Sequence, residues 1–158
     1  MFKRHFISAI LILAICIPLF AQTEQYGTPV NVDTAKKVAA AAVAEAKKNN
    51  FTMAVAIVDP NGTLVYFEKM DNTQNGSAPV AIDKARSAAL FKRPTKAFQD
   101  IVAAGGEGLR ILALQGAVPV DGGFPIIVAG KIIGAIGASG GTSTQDGQVA
   151  KAGADAVK

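Results

Sequence analysis

Few side chains in this 158-residue chain could do chemistry, and their positions narrow what it can do. The stretch Gly140-Gly141-Thr142-Ser143 leads from an apolar run into a helix expected from about Thr144. Its glycines let the backbone turn sharply, and Thr142 or Ser143 can cap the helix. The unpaired first-turn amides and the positive end of the dipole favour a carboxylate or a phosphate there. An ordinary capped helix would use the same residues. A second group is basic: Lys84, Arg86, Lys92, Arg93 and Lys96 lie close after Asp83. Such a run can meet propionates or other small carboxylates, or can simply be the solvated face of a helix. Lys84 stands apart, because it lies about one turn before Ser87 and two before Phe91, a spacing that can turn it towards a sheet edge. A ligand-binding cation and a structural ion-pair partner are both open for it. Met70-Asp71, at a strand end, adds a thioether and a carboxylate. The candidate ligand-binding set is therefore Lys84, Arg86, Met70, Asp71, Gly140, Gly141, Thr142 and Ser143, with no catalytic residue and no metal site assigned.

The remaining reactive residues lie at the start of the chain. Lys3-Arg4, the apolar run Phe6 to Phe20 broken by Ser8 and Pro18, and then Ala21-Gln22 have the layout of a secretory signal peptide, too short for a comfortable membrane span. Residues 1–21 are read as that signal, which predicts a secreted or periplasmic protein with no stable span after cleavage. A lipoprotein signal at Cys16 is the lesser alternative, since Ile15 stands where a small residue is wanted. His5 and Cys16 are the single His and single Cys of the chain, and both would leave with the signal. That excludes disulfides, a Cys nucleophile, a Ser-His-Asp triad and any His or Cys metal site from the exported form. Loss of Lys3 and Arg4 with no acid lowers the net charge from +4 to +2, a balance that does not point to nucleic acid.

The chain after the signal is long enough for one domain with its own core. A polar arm over 22–32 is expected to be mobile or partner-bound, and a single domain covers 33–158. Asp33 can cap a helix carrying Ala35, Val38, Ala39, Ala42, Val43 and Ala46, ended by Asn49-Asn50. Met53 to Val58, the turn Asp59-Pro60-Asn61-Gly62, and Thr63 to Glu68 predict a hairpin. After the polar loop Asp71 to Ser77, a helix is marked by Ala78, Ala81, Ile82, Ala85, Ala88 and Ala89, and Pro94 ends or restarts it. Thr95 to Ala103 predicts a short helix, Gly105 to Gly108 a flexible loop, and Val118 to Val120 a strand. Phe124 to Ala129 and Lys131 to Ala138, rich in Ile and Val around Gly130, predict buried paired strands before a last Ala-rich helix to Lys158. This order argues for an α+β domain with one mostly antiparallel sheet flanked by helices.

Several of these segments, in order, resemble the GlcG/HbpS family, also called haem-degrading or DUF336 domains, which includes the C-terminal domain of PduO-type proteins. The carriers are Val55-Ala56-Ile57-Val58-Asp59 with Gly62, Ala81-Ile82-Asp83-Lys84-Ala85, Arg93-Pro94-Thr95 and Val118-Pro119-Val120. Above all they are Gly122-Gly123-Phe124-Pro125-Ile126, Gly134-Ala135-Ile136-Gly137, Ser139-Gly140 and Asp146. The resemblance covers nearly all of the chain after the signal. It implies a profilin-like α/β/α sandwich, assembly into dimers or larger homo-oligomers, and association with haem or another tetrapyrrole. It also implies a histidine on the iron, which residues 22–158 do not contain. Met53, Met70, Tyr26 and Tyr66 are the side chains left that can hold haem iron, and each has a packing explanation.

The expectation is thus an exported domain that binds a small anionic ligand, with haem the leading cofactor, held without a His or Cys ligand. Its carboxylates would meet Lys84 or Arg86 and the amides around Gly140 to Ser143. A small-molecule enzyme using Lys84 with Asp71, Glu107 or Asp146, and a non-catalytic oligomeric scaffold, are the alternatives.

Overall fold

The computed structural model describes residues 24–157; the segment read as a signal peptide lies outside them. The chain runs β1 (Gln25–Tyr26), α1 (Val32–Lys48), β2 (Ala54–Val58), β3 (Leu64–Lys69), α2 (Ser77–Leu90), α3 (Lys96–Ala103), a 3-10 helix (Gly106–Ala113), β4 (Gly123–Val128), β5 (Lys131–Ser139) and α4 (Ser143–Ala154). β5 is the centre of a five-stranded sheet. β4 pairs antiparallel with it, while β2 pairs antiparallel and β1 parallel, at successive stretches of β5. β3 completes the β2 side as the expected hairpin.

Helices cover both faces, as the sequence predicts. Val55, Ile57, Ile126 and Ile136 pack against Val38, Ala39 and Ala42 of α1 and Val149 and Ala150 of α4. On the other face Ala54, Ala56, Val58 and Ala135 meet Ala81, Ala85, Ala88 and Ala89 of α2. With both faces covered, all of β2 is buried and its polar alternation disappears. The small residues on the α2 face have a geometric reason. A Cβ on Gly137 would meet the backbone of Ala81 and Ala85, so helix and strand approach with almost nothing between them.

Several boundaries differ from expectation. Asn31, not Asp33, caps α1, its side chain accepting from the Thr34 amide at 2.8 Å, while Asp33 complements the dipole in the first turn. Within the arm, residues 24–32 pack on the domain: β1 adds to β5, and the Tyr26 hydroxyl donates to the Ala89 carbonyl at 2.8 Å. Val118 to Val120 forms no strand; the Val118 amide donates to Ser87 Oγ, so this segment rides on α2. The expected flexible loop at Gly105 to Gly108 instead leads into the 3-10 helix. The last helix stops at Ala154. The β4–β5 turn uses two left-handed residues, Ala129 (φ 48°) and Gly130 (φ 71°), which matches the twist of a two-residue hairpin.

Candidate functional site

Lys84 does not face solvent. It is 1% exposed, and its ammonium donates to Asp146 Oδ2 at 2.7 Å and to the Ala138 carbonyl at 3.2 Å. Asp146, 3% exposed, accepts the Gly141 amide on its other oxygen at 2.9 Å. The cation and the helix-start amide expected to converge on a ligand carboxylate do converge, but the carboxylate is the protein's own. This pair joins α2 to the start of α4 across the end of the sheet. Gly122 is where it passes: its φ is +122°, and a Cβ there would lie 2.9 Å from Lys84 Nζ and 2.7 Å from the Ala138 carbonyl. Asp121, nearly buried beside this centre, is pushed above its ordinary value mainly by desolvation, offset in part by the Gly122 amide and then by Lys96 and Lys84.

The α4 start carries its own side-chain cap. Thr142 and Gln145 form a capping box, with the Thr142 amide donating to Gln145 Oε1 and the Gln145 amide to Thr142 Oγ1. A Cβ on Gly140 would meet the Thr52 carbonyl and Met53, which fixes that glycine by close approach. Ser143 begins α4 itself.

The other expected residues lie elsewhere. Arg86 reaches from α2 to the β2–β3 turn, its Nε donating to the Gly62 carbonyl at 3.1 Å. Met70 packs on the edge of the main core and, with Asp71, lines a polar hollow beside Lys47, Glu68 and Lys69. The candidate ligand set is therefore distributed over separate places. Asp71 and Glu107 are not paired with Lys84; Asp146 is, but within a contact buried from solvent.

A different place has the character of a binding site. A cleft of about 430 Å³ opens at the outer edge of β4, between the α2–α3 junction and the end of α4. Phe124, Pro125, Ile127, Pro94 and Val157 give it apolar walls, and Lys92, Arg93 and Lys151 stand against Glu24 and Asp155 at its rim. Its size falls in the range of small-molecule sites. The edge beside it is blunted against a further strand, because Gly123 spends both backbone groups on Thr95 (2.9 and 3.0 Å) and Pro125 has no N–H.

The cations are positioned by local structure. α2 ends with the Arg93 amide on the Ala88 carbonyl and the Lys92 amide on the Ala89 carbonyl, which places Lys92 in the left-handed position usually taken by glycine, at φ 53°. From there Lys92 Nζ reaches the Glu24 carbonyl at 2.9 Å and lies 4.3 Å from the centre of the Tyr26 ring. Arg93 uses Nε on the Phe91 carbonyl and lies over the Phe98 ring. Lys151 pairs with Asp155 one turn on.

Lys92 and Arg93 belong to the basic run, but nothing in their spacing singles them out from it, and Lys151, Phe124, Pro125 and Ile127 lie outside the expected set altogether. The available signal is Pro125: a proline inside a strand marks a sheet edge.

Among the described residues none of the side chains able to hold iron lines this cleft, although the Tyr26 ring lies beside Lys92. Met53 is fully buried, Tyr66 Oη lies 3.2 Å from Glu68, and Tyr26 is held by Ala89. Burial raises both tyrosines above their ordinary value, Tyr66 with help from Glu68.

Residues 30–155 match the family model described as Haem degrading protein HbpS-like. The chain is 33% identical over 136 residues to an uncharacterized 15.0 kDa protein encoded between dhaT and dhaS in Citrobacter freundii, covering 85% of this chain and 95% of that one. It is 40% identical over 105 residues to protein GlcG of Escherichia coli K12, covering 66% and 77%. A solved PduOC:heme complex superposes with a TM-score of 0.74 at 29% identity, over 83% of this chain and 96% of that one.

Proposed function

This chain belongs to the HbpS-like family, and on that premise we propose that it is an exported protein that binds haem or a related tetrapyrrole in the cleft at the edge of β4. The observation that carries this reading is the two-part lining, an apolar wall of Phe124, Pro125 and Ile127 facing the cations Lys92, Arg93 and Lys151. The wall suits a flat macrocycle, at about 25 cal/mol for each Å² taken from water. The cations suit its carboxylates through charge-assisted hydrogen bonds. The heme complex of the PduOC relative supports the same ligand class.

Haem, when bound, supplies the redox chemistry of its iron. The residues of this chain bind and orient it: Arg93 has its terminal guanidinium nitrogens to offer a propionate, Lys151 can exchange Asp155 for a ligand carboxylate, and Phe124 and Ile127 exclude water. No His or Cys occurs in residues 22–158, so the complex forms without such an axial ligand and is weak. Haem titration of the chain from Gln22, followed by optical spectra, tests this reading. Saturable binding without a bis-His or His/Met spectrum is expected, and Arg93→Glu should weaken it about tenfold, the loss of one charge-assisted contact. A tight His-type spectrum, or no effect of Arg93→Glu, would contradict it.

Export rests on the basic start and apolar run of residues 1–21, and an intact mass beginning near Gln22 is its test. Assembly into at least dimers is supported by Ile101, Leu109, Leu112 and Leu114, which stand exposed on α3 and the segment after it. A monomeric mass by light scattering at micromolar concentration would remove that part of the proposal. Among the described residues no helix is long and apolar enough to cross a membrane.

A further inference from the structure

We infer that the cleft recognises the macrocycle and its carboxylates rather than the central metal, so that an iron-free porphyrin is as good a ligand as haem. This rests on the tetrapyrrole reading above and extends it to the class of ligand. Among the described residues the cleft is lined by no imidazole, thiolate, thioether or phenol, the groups that commonly hold haem iron. Residues 24–157 contain no His or Cys at all. None of their methionines and tyrosines lines the cleft: Met53 is buried, Met70 lines a separate hollow with Asp71, the Tyr26 hydroxyl donates to Ala89, and the Tyr66 hydroxyl donates to Glu68.

The cleft's own polar groups do not replace those ligands. Lys92 Nζ donates to the Glu24 carbonyl and Lys151 Nζ to Asp155, so both serve as donors at the cleft. Glu24 and Asp155 are carboxylates, which are not among the side chains that commonly hold haem iron. What the lining offers is contact for a ring face and positive charge for its edge, and both parts of the ligand are the same whether or not iron is present.

The test is a set of titrations of the chain from Gln22, which retains every residue of the described fold, repeated with the full-length chain. The probes are iron-free protoporphyrin, haemin, and the dimethyl ester of protoporphyrin, whose carboxylates are blocked. Iron-free protoporphyrin and haemin should bind within about threefold of each other, and the ester at least about tenfold more weakly, as expected when charge-assisted contacts are lost. Arg93→Glu should weaken the first two by the same factor. Haemin binding more than about tenfold tighter than the iron-free ring would overturn the inference while leaving the tetrapyrrole reading intact. An ester that binds as well as the diacid would also overturn it, since the carboxylates would then not be read. If neither haemin nor the iron-free ring binds, the tetrapyrrole reading itself fails.

Discussion

Two of the lysine–aspartate pairs among the described residues behave in opposite ways. Lys84 and Asp146 meet at 2.7 Å in the interior, and further hydrogen bonds to Ala138 and Gly141 leave little of either for a ligand. Lys151 and Asp155 meet one helical turn apart at the surface, beside Lys92 and Arg93, on the rim of an apolar cleft. The first pair holds two helices and the sheet together; the second can be broken by a ligand carboxylate at little cost, because solvent screens it. The type of residue is the same in both, and burial decides whether the charge is structural or available.

The largest effect should come from breaking the interior pair. Lys84→Ala leaves Asp146 buried and uncompensated and should cost about 3–5 kcal/mol in urea unfolding. Adding Asp146→Asn to Lys84→Met should recover part of the loss of the single change, because the amide oxygen can still accept from Gly141. If Lys84→Ala unfolds like the parent, the contrast between the two places collapses. Gly122→Ala comes next, at about 1–3 kcal/mol, from a left-handed backbone and a Cβ placed against Lys84 Nζ and the Ala138 carbonyl.

At the cleft the order of stability and binding should invert. Lys92→Gly suits the left-handed position better than lysine does, so unfolding should change by less than about 1 kcal/mol while tetrapyrrole affinity falls several-fold. Equal losses in both would assign Lys92 to holding β1 in place.

Asp121 sharpens the picture of the interior through pH. Its folded-state value is raised above the ordinary 3.8, so the folded protein holds that proton more tightly than the unfolded chain. The group therefore favours folding at low pH, and that contribution is lost as pH rises from the ordinary value through the raised one. Asp121→Asn should be more stable than the parent at neutral pH, and the difference should vanish below about pH 3.8. The smallest effect is expected for Lys47→Ala, an exposed helix lysine, within about 0.5 kcal/mol of the parent and with unchanged binding.

The hairpins and helices are legible in the sequence because each carries its own signal. The Asp59 carboxylate accepts from the Asn61 and Thr63 amides, just as the Asp59-Pro60-Asn61-Gly62 turn requires, and the α1 alanines and valines fall on one buried stripe. Val118 to Val120 has the composition of a strand but no partner strand; Ser87 of α2 takes its amide instead. The candidate site is hidden for a related reason. Lys84, Gly141 and Asp146 are far apart or ambiguous along the chain, and nothing local says that Asp146 returns to fill the place left for an anion.

The four α-helices and the two hairpins, the sheet with helices on both faces, the absence of His and Cys after residue 21, and the family are written in the order of the residues. These depend on short-range periodicity, turn chemistry and residue identity, which are present in any stretch of a dozen residues. Which charges are spent and which are free is settled in three dimensions. Lys84 is buried because α2 lies against the end of β4 and the start of α4, and Lys92, Arg93 and Lys151 are available because Pro125 and Thr95 leave the β4 edge without a further strand. Desolvation is set by what packs from distant parts of the chain, and that is fixed only when the elements dock.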